Sequence, residues 1–80
     1  MDKEFNPPVV IARENRAGRR TIASAWEALE WLRLRRPACT GPRYRSAVRI
    51  CRDVLDGLRA PPDARRAFIS AAREVGRRVF

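Results

Sequence analysis

The chain has 80 residues, 45% hydrophobic and 34% charged, and carries a net charge of +9 from 18 Lys and Arg against 9 Asp and Glu. A folded chain of that size buries only about 60% of the surface its unfolded form exposes, which leaves one modest core in a single small domain and little room for an enclosed active site. The absence of histidine removes the commonest metal ligand and the usual general base, and two cysteines are too few for a disulfide framework or a tetrahedral zinc site.

Residues 1–7 read as an extended start. MDKEFNPP has no apolar signal core, and no later apolar run approaches the roughly 18 residues that span a bilayer. A cytoplasmic protein with free thiols at Cys39 and Cys51 is the expectation. PVVIAR and RRTIA are short runs rich in β-branched residues, and ENRAG between them supplies turn residues, so 8–23 reads as a β-hairpin. Alternation puts Val9 and Ile11 on one face, with Ile22 as their partner from the second strand. A lone hairpin is marginal in water and needs helices against its apolar face.

Ser24 and Glu27 fit a capping box, predicting a helix over 25–35 with Ala25, Ala28, Leu29, Trp31 and Leu32 on one face. Trp26 and Leu34 fall outside that arc. The stretch RRPACTGPRY then reads as a corner: Pro37 ends the first helix, Thr40 caps the second, Gly41 permits a close approach, and Pro42 suits the first helical position. A second helix over 42–56 gathers Tyr44, Ala47, Val48, Ile50, Cys51, Val54 and Leu55 in one arc. Its outer face carries Arg49 and Arg52, each four residues from an aspartate partner, Asp53 and Asp56. Gly57 ends it, and Asp63 is expected to cap a third helix over 63–75 whose apolar side is Ala64, Ala67, Phe68, Ala71, Ala72 and Val75. Gly76 stops that helix, leaving 77–80 (RRVF) free to return as a short third strand. The fold class is therefore α+β, an N-terminal hairpin packed on three helices.

The order PPVVI, SAWEALEWL, GPRYRSAVRIC and ARRAFISAAREVG resembles domain of unknown function family 982, small proteins found mainly in rhizobial alphaproteobacteria. The likeness covers nearly the whole chain, and the pairing of GPxY-then-AxxxC with ARxAFIxAAxExG carries it. It implies a compact hairpin-plus-helices domain of cytoplasmic type, and it brings no activity to any residue. The family pattern carries tryptophan before the proline of the corner, where this chain has Arg36.

Candidate functional residues follow from the charge. Arg35, Arg36 and Arg43 flank the start of the second helix, where unpaired N–H groups favour an anion, and Cys39 beside them is a candidate reactive thiol. Arg45, Arg49, Arg52, Arg66, Arg73 and Arg77 lie on outer helix faces and are candidate nucleic-acid contacts. All the cations except Lys3 are arginine, but they are spread along the chain, and no GxxxxGK[ST] or GxGxxG stretch is present. The paired carboxylates Glu27/Glu30 and Asp53/Asp56 have ordinary uses as caps and arginine partners. No catalysis, cofactor, metal or membrane partner is expected. The first reading is a non-enzymatic interaction or regulatory domain that self-associates through Trp26, Leu34 and Phe80, or binds a protein partner. The alternative is a basic nucleic-acid-binding module.

Overall fold

The computed structural model describes residues 3–13, 17–35 and 41–80. Two antiparallel strands, β1 (Glu4–Ala12) and β2 (Arg19–Ser24), are followed by α1 (Ala25–Leu34), α2 (Pro42–Leu55) and α3 (Pro61–Glu74), the α+β arrangement that the sequence predicts. Val9 pairs with Ile22 and Ile11 with Arg20, and the side chains of Val9, Ile11 and Ile22 are buried together. The hairpin packs on α1 and α3. Helix α2 packs on the same two helices and has at most slight contact with the hairpin. No described helix is long and apolar enough to cross a membrane.

β1 starts at Glu4, not after the extended 1–7 stretch, because Phe5 is buried in the core and Glu4 pairs with Ser24. The ladder is irregular between Glu4 and Val9, where Pro7 and Pro8 supply no backbone donor and the Asn6–Pro7 bond is cis. The tail adds to the outer edge of β1. Val79 bridges Ile11 in antiparallel sense, Ala12 N–H donates to Arg78 O at 2.9 Å, and Phe80 N–H donates to Val10 O at 2.8 Å. It forms one isolated bridge, short of a full strand.

Local chemistry sets the helix ends. Ser24 Oγ accepts the Glu27 N–H at 3.1 Å, and Glu27 reaches back to the N–H of Ala23 at 2.7 Å, one residue before the cap. α3 begins two residues earlier than expected. Ala60 is its cap and Pro61 its first residue, where a missing N–H costs nothing, so Asp63 is a first-turn residue and not the cap. Gly57 and Gly76 both take positive φ, and at Gly76 (φ 80°) the Arg77 N–H closes on Ala72 O at 2.9 Å in a Schellman turn.

The core is built from the faces that the helical periodicity predicts. Ala25, Ala28, Leu29, Trp31 and Leu32 are buried from α1, with Tyr44, Ala47, Cys51 and Val54 from α2. From α3, the small side chains of Ala64, Ala71 and Ala72 let the helix approach closely around Phe68, whose ring meets Trp31 edge-on at 5.5 Å and 83°.

Candidate anion-binding site

Four arginines converge where the loop end of the hairpin meets the end of α1. Arg13, Arg19, Arg20 and Arg35, with Ala12, Thr21 and Trp31, line a recess of about 480 Å³ that has no carboxylate among its described lining residues. The hairpin register creates half of it: Ala12 stands opposite Arg19, so Arg13, one residue on, faces the same strand end as the Arg19–Arg20 pair. The Arg13 N–H donates to Gly18 O at 3.3 Å and closes the described base of the hairpin. The other half comes from α1, which leaves β2 at Ser24 and runs back along the sheet until Arg35 reaches the loop end.

Two of the guanidinium groups rest on aromatic rings. Arg35 Cζ lies 4.0 Å from the Trp31 ring centroid, with an Nη1 donor 3.4 Å from Trp31 O, and Arg19 Cζ lies 4.0 Å from the centroid of Phe80. Stacking of this kind is worth about 0.5–2 kcal/mol and removes much of the rotamer freedom that an arginine otherwise loses on binding. Phe80, anticipated as an exposed apolar contact, is thus partly a platform for Arg19.

The start of α2, the anion site anticipated from sequence, is already occupied from within. Gly41 is the cap and makes no side-chain bond; the Glu74 carboxylate, from the end of α3, accepts the N–H of Arg43 at 3.2 Å and of Tyr44 at 3.1 Å. A Cβ at position 41 would lie 2.6 Å from Glu74 Oε1, so the glycine makes room for this carboxylate. Thr40, Arg36 and Cys39 lie outside the described residues. Arg43 points instead into a smaller recess of about 260 Å³ between α2 and α3, with Arg59, Arg66, Asp63, Ser46 and Ser70. There Asp63 pairs with Arg66 at 2.5 Å and with Arg59 at 3.7 Å, one carboxylate set among three arginines.

The remaining arginines do not converge. Arg45, Arg49, Arg52 and Arg73 are exposed, with no ion pair to another described residue, and Arg77 is half-buried beyond α3. The i,i+4 pairs expected on α2 are not formed: Asp53 pairs across the turn with Arg59 at 3.7 Å. Among the described residues no cluster of His, Cys, Asp and Glu is placed to hold a metal. Cys51 is buried in the core, and desolvation pushes its thiol up to about 12.

Helical periodicity directed attention to the outer helix faces and missed the hairpin. The signal present in the sequence was the cluster Arg13, Arg19 and Arg20 around the turn; Arg35 joins it only through tertiary packing. Comparison with curated proteins and with solved structures returns no match. The family described as a protein of unknown function, DUF982, matches residues 7–78, nine-tenths of the chain, and the protein belongs to that family.

Proposed function

We infer that the protein is a non-enzymatic interaction domain that engages an anionic partner through the recess at the hairpin loop end. The observation that carries this reading is the convergence of Arg13, Arg19, Arg20 and Arg35 on one cavity with no carboxylate among its described lining residues. Guanidinium groups present a planar fork of donors to carboxylate and phosphate oxygens, and clustered cations also raise the rate of encounter with anions. The carboxylates Glu27, Asp53, Asp63 and Glu74 are engaged as caps or arginine partners, which commits those four to structure. The nucleic-acid alternative is weakened by geometry, because α2, which carries Arg45, Arg49 and Arg52, packs away from the hairpin.

Amide NMR during titration with polyglutamate at low salt tests the reading. Shifts concentrated at 12–13, 18–21 and 31–35, and lost as salt is raised, are expected. Shifts spread over the outer faces of α2 and α3, or none at all, would overturn it.

Self-association is a second reading, favoured by one specific observation. Trp26 and Leu34 are 60% and 69% exposed on α1, eight residues apart and therefore on neighbouring lines of its outer face. A second copy would have to meet this face and avoid the arginine recess, since like charges repel. Light scattering across concentration should give a dimer that Trp26→Ser dissociates; a strict monomer at high concentration would sink this reading.

A further inference from the structure

The hydrogen-bond parity of the hairpin fixes which backbone groups of β2 are already used. On the outer side of β1, the Ala12 N–H donates to Arg78 O and the Phe80 N–H to Val10 O, so Val10 and Ala12 turn their backbone groups toward the tail. Successive residues of an antiparallel strand alternate in this respect, so Val9 and Ile11 turn theirs toward β2, where their register partners are Ile22 and Arg20. Arg19, Thr21 and Ala23 therefore direct their N–H and C=O groups outward, along the edge of the sheet that the tail does not cover. The Ala23 N–H on that edge is taken by Glu27 Oε1 at 2.7 Å, in agreement with this parity. The outward backbone groups of Arg19 and Thr21 have no such partner among the described residues, and residues 19–21 are exposed.

From this arrangement we propose that the free edge of β2 takes up an extended acidic segment of a partner protein as an added strand. The proposal rests on the reading of the hairpin end as the anion-contact surface, and it names the partner and the way it is held. Main-chain bonds to Arg19 and Thr21 attach the segment, and side chains select it. Arg19 and Thr21 project from one face of β2 and Arg20 from the other, so carboxylates on neighbouring residues of the added strand meet an arginine on either face. Arg19 is held against Phe80, its Cζ 4.0 Å from the ring centroid, which limits the rotamer freedom it loses on binding. A second copy of this chain fits the edge poorly. Antiparallel self-pairing about Arg20 sets two like charges directly opposite each other, and self-pairing about Thr21 needs the Ala23 N–H that Glu27 already holds. A nucleic-acid strand lacks the alternating amide donors and carbonyl acceptors that pair with such an edge.

The test is titration of the intact, isotope-labelled protein with a blocked acidic hexapeptide, VEEVET, read by amide NMR and amide hydrogen exchange. The control is the same peptide N-methylated at its four central residues, which keeps the charge and removes the main-chain donors. The acidic peptide is expected to shift the amides of Arg19 and Thr21 and, at saturation, to slow exchange at Thr21 at least about tenfold. The N-methylated peptide should bind at least about tenfold more weakly. Thr21→Pro removes an outward N–H and no ladder bond, so it should weaken the peptide about tenfold, while Arg52→Gln on α2 should leave affinity unchanged. The exchange and N-methyl comparisons use the wild-type chain, so they decide the matter even where Thr21→Pro loses its fold. Unchanged Thr21 exchange in the bound state, equal affinity of the two peptides, or a folded Thr21→Pro that binds like the wild type would each overturn the proposal. Equal binding of both peptides at residues 18–21 would leave the broader anion-contact reading standing, whereas no shift with either peptide would end both, so the two failures are distinguishable.

Discussion

Glu74, in the last turn of α3, accepts the backbone N–H of Tyr44 in the first turn of α2 at 3.1 Å, and so one helix caps another across thirty positions of sequence. The bond satisfies donors that α2 cannot satisfy within itself, and it sets a negative charge at the positive end of the helix. Replacing Glu74 with Ala should cost about 1 kcal/mol of stability, the usual value of a lost cap. Gly41→Ala should cost a similar amount, because the new methyl displaces the same carboxylate. The two effects should not add. In the Glu74→Ala background Gly41→Ala should cost clearly less, because the clash with the carboxylate is gone and only the preference of an N-cap for glycine over alanine remains. Urea denaturation of the four-variant cycle measures this, and additive losses would show that Gly41 does not serve the Glu74 contact.

Tyr44 makes a second link between α1 and α2. Its hydroxyl donates to Leu32 O at 2.9 Å inside the core, tying the end of one helix to the start of the next. Tyr44→Phe keeps the ring and removes the donor, so a loss of about 1–1.5 kcal/mol is expected, with the folded spectrum retained. Equal denaturation midpoints for the two proteins would mean that this bond contributes nothing net.

Cys51 gives a pH signature. Burial raises the folded thiol from 9.0 to about 12, so the proton is bound more tightly in the folded than in the unfolded state. Below pH 9 both states keep the proton and the stabilisation is fully present; as pH rises from 9 toward 12 the unfolded chain loses it first and stability falls. Denaturation midpoints measured across that window should fall more steeply in the wild type than in Cys51→Ala. Cys51 should also resist alkylation in the native state at neutral pH and react on unfolding.

The C-terminal tail pairs with β1 and holds the ring beneath Arg19. Removing Val79 and Phe80 takes away the Ile11 bridge, the Phe80 donor to Val10 O and the Arg19 stacking platform. The amide of Ala12, bonded to Arg78 O, should then exchange at least about tenfold faster, as expected where a local opening becomes easier by about 1.4 kcal/mol. Unchanged Ala12 protection would show that the last two residues do not anchor the tail.

Much of the architecture is legible along the chain. Period-two alternation in PVVIAR and RRTIA places Val9, Ile11 and Ile22 together, and 100° steps identify the buried faces of α1, α2 and α3, because burial follows the repeat of the backbone itself. Helix ends are legible where the partner is local: Ser24 with Glu27, or glycine at the exit of α2 and α3. They are misjudged where a nonlocal group intervenes, as at the start of α2, or where a proline outranks a polar cap, as at Pro61.

The site follows the same division. Residue types and spacing along this chain determine which positions are apolar, where helices stop, and that arginine dominates the surface. Only the tertiary structure decides which polar groups meet. Asp53 turns to Arg59 instead of Arg49, Glu74 fills the end of α2, and Arg35 is carried to the hairpin arginines by the return of α1 along the sheet. The physical reason is range: apolar burial repeats with the local backbone period, whereas a charge pairs with whichever partner the packed elements bring within a few ångströms.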